Sequence, residues 1–154
     1  MKTHSVIIFL ILVSLTACDR NVVFEKNMVI PDNRWEMNNI VKLDAEINDT
    51  VSFHNIYINV RNAGGYQFSN LYLFLNTTTP KGEQARDTVE LTLADERGKW
   101  LGDGSGDIWD NRILFKRKFR FPEAGTYHFE LQQAMRMNPL PQIMDVGMRI
   151  EKAE

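Results

Sequence analysis

From Ile40 onward, apolar and polar side chains alternate along the chain. The clearest run has apolar residues at positions 41, 43, 45 and 47, with charged or polar residues between them. This alternation is typical of a strand with one buried and one exposed face. Similar runs are separated by turn sequences and cover residues 56–61, 71–76, 88–93, 113–121, 127–132 and 146–150.

These runs predict an all-β fold. No stretch of twelve or more residues shows helical periodicity. Seven to eight antiparallel strands within residues 40–154 predict one β-sandwich domain of jelly-roll or Greek-key type. The two longer connections, residues 94–111 and 133–144, are expected to cross between the sheets. Residues 18–39 are expected to form a lipidated N-terminus, a tether and an entry segment ahead of the sandwich.

Residues 1–17 are typical of a secretory signal peptide. Lys2 supplies the positive start, and residues 6–15 are almost entirely apolar, which is shorter than the ~20 apolar residues of a transmembrane helix. The sequence Leu15-Thr-Ala-Cys18 resembles the lipobox of bacterial lipoproteins. That resemblance implies cleavage before Cys18 and acylation of its thiol. The alternative is an ordinary cleaved signal peptide followed by a chance cysteine.

Composition excludes several classes of protein. The one cysteine among 154 residues cannot form an intrachain disulfide, a cysteine-rich zinc site or an iron–sulfur cluster. A formal net charge of −2 argues against a nucleic-acid partner, because phosphate neutralisation normally requires a basic excess. A chain that is 44% hydrophobic and 25% charged has the balance of a globular domain with a proper core.

The most concentrated polar segment is 98–111, which holds four glycines, three aspartates and two tryptophans. Three interpretations are open for it: a crossover loop packed on the sandwich, a calcium or paired-carboxylate site, or a surface that contacts a protein or a glycan. No metal-ligand histidine pattern or serine nucleophile elbow occurs, so we predict no catalytic residues, no metal site and no cofactor. The candidate contact residues are Trp35, Tyr66, Trp100, Asp103, Asp107, Trp109 and Asp110.

Several longer segments carry a resemblance in order and spacing: Ile30-Pro-Asp-Asn-Arg-Trp35, Tyr57-Ile-Asn-Val-Arg-Asn62, Phe121-Pro-Glu-Ala-Gly-Thr-Tyr127 and the stretch from Gln133 to Gly147. Through them the chain resembles the GldH family of gliding-motility lipoproteins, found in Bacteroidota. The resemblance implies a membrane-anchored lipoprotein that is needed for surface gliding and associated with secretion across the outer membrane. It implies no catalytic residues, and among functional residues it carries over only the lipidated Cys18.

We therefore expect a non-enzymatic lipoprotein of the cell envelope, anchored in the outer membrane. It would act through protein contacts, as a component or accessory of gliding motility and its linked secretion machinery. Its expected partners are membrane lipid, through acylated Cys18, and other envelope motility or secretion proteins. The alternative is a glycan-binding β-sandwich lipoprotein that uses aromatic side chains, and burial of those side chains would remove its basis.

Overall fold

The computed structural model describes residues 21–154, so the predicted signal peptide and Cys18 lie outside the described residues. Within that range there are eleven strands and, apart from a short 3-10 turn at Pro31–Asn33, no helix. The all-β prediction is confirmed. The strands are β1 (Val22–Val29), β2 (Arg34–Trp35), β3 (Val41–Ile47), β4 (His54–Ala63), β5 (Asn70–Thr78), β6 (Gln84–Thr92), β7 (Asp103–Ser105), β8 (Ile108–Phe119), β9 (Gly125–Gln133), β10 (Leu140–Pro141) and β11 (Ile143–Lys152).

The strands form two main antiparallel sheets. One has five strands in the order β1-β11-β4-β8-β7, the other has four in the order β3-β9-β5-β6, and β10 and β2 form a separate pair. When the eight long strands alone are numbered along the chain, the two sheets have the orders 1-8-3-6 and 2-7-4-5. This is the strand order of a jelly roll, one of the two arrangements that the sequence predicts.

The predicted number of seven to eight strands is too low for the described residues. Three of the eleven strands, β2, β7 and β10, have only two or three residues, which is too short for alternation to show. Another, β1, lies in the segment that the sequence assigns to a tether, yet it pairs with β11 over almost its whole length. Its last five residues are all exposed, so it lacks the periodic burial of β3, β5 and β9.

The core fills the space between the two sheets and is built from the inward positions of the alternation. On β3, buried and exposed residues alternate without exception. On β5, Leu71, Leu73 and Leu75 are fully buried, and burial of each such side chain stabilises the fold by about 1.5–3 kcal/mol. Phe121 closes one end of the core, where its ring packs edge-on against His54 and Tyr127.

The edge strand β1 lies unusually close to β11 at one glycine. Gly147 pairs with Asn27, and a Cβ atom at Gly147 would collide with the backbone carbonyl of Lys26 and the side chain of Asn27. Only a residue without a side chain therefore allows β1 to pack at this position.

Replacement of Gly147 by alanine should destabilise the fold by about 1–3 kcal/mol, because backbone atoms must move to make room. Gly65→Ala is the matched control, since its Cβ would meet nothing closer than 3.5 Å, a side-chain atom of Gln142. Urea denaturation of both variants measures the difference. Equal stability of the two variants would show that β1 does not need this close approach.

Candidate interaction surface

Two of the predicted contact residues belong to the core. Trp35 is fully buried, and its indole N–H donates to the carbonyl oxygen of Asn39 at 2.8 Å. Tyr66 is 5% exposed, and its hydroxyl donates to the carbonyl oxygen of Asn70 at 2.9 Å. Burial raises the pKa of Tyr66 far above its ordinary value. Neither side chain is placed to contact a partner, so the glycan-binding alternative loses two of its four aromatic residues.

The other two tryptophans are half-buried and pack on each other beside the β7–β8 hairpin. The ring centroids of Trp100 and Trp109 are 6.5 Å apart, and Trp100 is also 6.5 Å from Tyr66. The Trp109 ring lies directly against Gly104, where a Cβ atom would collide with it. Trp100 packs against the core of the sandwich, as one of the three interpretations of this segment expects, and Trp109 packs on Trp100.

The three aspartates of this segment have different environments. Asp103 is exposed and lies opposite Asp110 in the hairpin. Asp110 accepts a hydrogen bond from Nε of Arg61 at 2.6 Å. Asp107 lies next to Gly64, and its backbone carbonyl oxygen accepts a hydrogen bond from the N–H of Gly64 at 2.8 Å. Among residues 21–154, no group of three or more His, Cys, Asp or Glu side chains could hold a metal ion. The geometry therefore gives the calcium interpretation no support.

Asp110 belongs to a larger charged network on the outer side of the five-stranded sheet. We call this network the polar face; it consists of Glu25, Asn27, Asn59, Arg61, Asp110, Arg112, Asp145 and Arg149. These residues come from β1, β11, β4 and β8, and strand register brings them side by side. Together with Asp103, most of them line a surface depression of about 450 Å³.

Glu25 is the centre of one half of the polar face. Its carboxylate accepts hydrogen bonds from Arg149 at 2.7 Å, Asn59 at 3.1 Å and Arg112 at 3.3 Å. Burial alone would raise the pKa of Glu25, but the hydrogen bonds from Arg149 and Asn59 and the charges of Arg149 and Arg112 hold that pKa below its ordinary value. The Arg149 side chain is only 8% exposed and that of Glu25 is 31% exposed, so this ion pair is partly shielded from water.

Arg61 is the centre of the other half. Its guanidinium bridges Asp110 at 2.6 Å and Asp145 at 3.1 Å. Burial raises the pKa of Asp145, and the charge of Arg61 offsets only part of that increase, while the charge of Asp110 adds to it.

Between the two halves lies Asn59, which is 8% exposed. Its Nδ2 donates to Glu25 and to Asn27, both at 3.1 Å. The position of Asn27 depends on Gly147, whose missing side chain leaves room for it. The polar face therefore presents donors and carboxylates in fixed positions. This arrangement is suited to recognising a charged partner surface.

Sequence reasoning found only Asp110 among these residues. A signal for the others exists, because Asn59 and Arg61 are polar positions of one predicted strand and Arg149 is a polar position of another. That signal places them on the solvent side of the sheet, but it does not show which strands are neighbours. The partners are 32 to 124 residues apart along the chain.

Replacement of Glu25 by glutamine should weaken the acid sensitivity of the fold. Because the Glu25 pKa is lower in the folded chain than its ordinary value of 4.5, its contribution to the free energy of unfolding is complete above about pH 4.5 and is lost as pH falls through the folded pKa. Urea denaturation between about pH 7 and pH 3 should therefore show a shallower loss of stability in Glu25→Gln than in the wild type.

Asp145→Asn is the matched control, because it should change the pH dependence of stability in the opposite direction. The pKa of Asp145 is raised in the folded chain, so its charge opposes folding as pH rises through that raised value. Its replacement should make the acid-side loss of stability steeper than in the wild type. An unchanged slope in Glu25→Gln would contradict the role given to this carboxylate.

Comparison with known proteins identifies the family of the chain. The family model described as GldH lipoprotein matches residues 22–150. A protein of Christiangramia forsetii named gliding motility lipoprotein GldH homolog is 34% identical over 161 residues, covering 99% of this chain and 98% of its own. The gliding motility lipoprotein GldH of Flavobacterium johnsoniae is 30% identical over 158 residues, covering 98% of each chain. Within the described range, no helix is both long and apolar enough to span a bilayer. The expectation drawn from the resemblance is confirmed: the chain belongs to the GldH lipoprotein family.

Proposed function

We propose that this protein is a lipid-anchored, non-enzymatic part of the cell envelope that serves gliding motility and its linked secretion machinery through protein contacts. The observation that carries the proposal is the match over nearly the whole length to two relatives that are both named gliding motility lipoproteins. A match of this extent covers the strands of both sheets, including those that form the polar face.

The anchor in this proposal is Cys18, the last residue of the sequence that resembles a lipobox. Two or three acyl chains hold a protein durably on a membrane, whereas one chain gives only marginal binding. We place the anchor in the outer membrane, because the resemblance associates the family with secretion across that membrane.

The contact surface in this proposal is the polar face together with Asp103. Its ion pairs fix the side chains before a partner arrives, and a preorganised surface loses less conformational entropy on binding. It also presents both signs of charge, with Arg61 between Asp110 and Asp145. Complementary charge on a partner would fix the orientation of the complex and exclude wrong partners.

The half-buried Trp100 and Trp109 lie beside the same hairpin as Asp103 and Asp110. Tryptophan is among the residues that most often carry the binding energy of protein interfaces. The position of Trp100 and Trp109 extends the contact surface from the polar face around the β7–β8 edge.

Cys18→Ala should abolish function without altering the sandwich. A deletion strain complemented with this variant is expected to lose both surface spreading and secretion, because the variant carries no acyl chain to hold the mature protein on the membrane. Spreading on agar, secreted protein and fractionation are measured in parallel. Full complementation by Cys18→Ala would exclude anchoring from the mechanism.

Asp103→Lys should weaken partner contacts while keeping the fold, because Asp103 is exposed on a short edge strand and surface substitutions usually cost less than ~0.5 kcal/mol. Asp44→Lys is the matched control, since Asp44 is exposed on the outer side of the other sheet. After crosslinking in cells, recovery of envelope proteins should fall several-fold for Asp103→Lys only. Equal recovery with both variants would place the contact surface elsewhere.

A further inference from the structure

The first described residue, Asn21, lies at one end of the sandwich, and its hydrogen bonds identify that end. The carbonyl oxygen of Asn21 accepts a bond from the N–H of Lys152, and the N–H of Ala153 donates to the carbonyl oxygen of Phe53, both at 2.8 Å. We call this region the entry end; its exposed side chains include Val51, Phe53, Arg117, Lys118, Arg120 and Lys152.

The distance from the entry end to Cys18 is short. Cys18 precedes Asn21 by three residues, and three extended residues span at most ~11 Å. Whatever surface holds the acyl chains of Cys18 must therefore lie within about this distance of Asn21. This step rests on the proposed acylation of Cys18.

The entry end is basic, although the chain as a whole has a net charge of −2. Residues 116–120 contain four cations in five positions, and three of them, Arg117, Lys118 and Arg120, are exposed. Two acidic neighbours are already paired: Asp49 with Lys152 at 2.8 Å and Glu151 with Arg149 at 2.8 Å. Among the last four residues, the one other acidic side chain is Glu154. The three exposed cations Arg117, Lys118 and Arg120 outnumber it, so cations predominate among the exposed side chains at this end.

Beside these cations, a rigid turn exposes apolar side chains. Oδ1 of Asp49 accepts hydrogen bonds from the N–H groups of Val51 and Ser52, both at 2.9 Å, which fixes the turn. Val51 is 78% exposed and Phe53 is 45% exposed. The Arg120 guanidinium lies 4.5 Å from the centre of the Phe53 ring.

We propose that the entry end docks on the anionic surface of the membrane that holds Cys18. Apolar side chains next to Lys and Arg are the combination that binds at the headgroup level of a bilayer, and each cation near an anionic surface strengthens binding. Val51 and Phe53 would enter the headgroup layer, while Arg117, Lys118 and Arg120 would contact lipid phosphates.

A labelled protein in vesicles tests this orientation. Because acylation occupies the thiol of Cys18 and the chain has no other cysteine, a cysteine introduced by Val51→Cys is the single labelling site. Val29→Cys is the matched control: Val29 has the same exposure of 78% but lies at the far end of β1, about 23 Å from Val22 at ~3.3 Å per residue.

Each acylated full-length variant is labelled with a fluorophore and reconstituted into vesicles of phosphatidylethanolamine and phosphatidylglycerol that carry nitroxide-labelled lipid. Quenching should be several-fold stronger at position 51 than at position 29. Replacement of Arg117, Lys118 and Arg120 by glutamine should reduce quenching at position 51, and so should vesicles of phosphatidylcholine or salt near ~1 M, where the Debye length is only ~3 Å.

The outcomes separate this inference from the proposed function. If mass spectrometry finds Cys18 without acyl chains, the anchor and the orientation both fail. If Cys18 is acylated but position 51 is quenched no more than position 29, the anchor remains and the docked orientation is overturned. Quenching at position 51 that is unchanged by the three glutamines would overturn electrostatic docking.

Discussion

The carboxylate of Glu25 connects the edge strand β1 to the rest of the five-stranded sheet. It bonds to Arg149 on β11, Asn59 on β4 and Arg112 on β8, so one side chain spans four neighbouring strands. An exposed ion pair contributes only ~0–1 kcal/mol, but removal of one partner from a shielded pair costs more because it leaves a charge without compensation. Arg149 is only 8% exposed, but Glu25 is 31% exposed and Arg149 also pairs with Glu151 at 2.8 Å, so the Glu25 pair lies between the two cases.

In the proposed anchoring through Cys18, the attachment of β1 determines how tightly the anchor is coupled to the sandwich. While β1 is paired with β11, three residues separate Cys18 from the first paired region. Detachment of β1 would free its eight residues and lengthen the tether by about 26 Å, at ~3.3 Å per residue. The pairing at Gly147 and the bonds of Glu25 are therefore constraints on the position of the whole domain relative to the membrane, in addition to their contribution to stability.

The sequence predicted the long strands in which polar and apolar residues alternate. Strand β3 buries every second residue without exception, and the alternation of polar and apolar residues reveals it. Strand β1 has five consecutive exposed residues, so its pairing cannot be seen in the same way. The strand order of the two sheets also depends on pairs such as Glu25 and Arg149, which are 124 residues apart. Composition gives no information about such pairs.

Residue type alone does not show whether a candidate side chain lies in the core or on the surface. Trp35 was a candidate because tryptophan is common in interfaces, but a large aromatic side chain is equally suited to filling a core, and here it is fully buried. Asp110 was a candidate from a loop-like segment, and register places it beside Arg61. A sequence identifies a polar residue on a strand, whereas only the register shows which opposite charge it meets.

In the proposed orientation, the anchor and the polar face together would define how a partner can approach. With the entry end on the membrane, β1, β4, β8 and β11 lead away from the bilayer, because each has one terminus at that end. The polar face lies on the outer side of the sheet that these strands form, so it faces sideways along the membrane. A partner held in the same membrane can then reach Arg61 and Asp110 by lateral diffusion, without either protein leaving the bilayer. The close attachment of β1 maintains this geometry, since a long free tether would let the polar face turn in any direction.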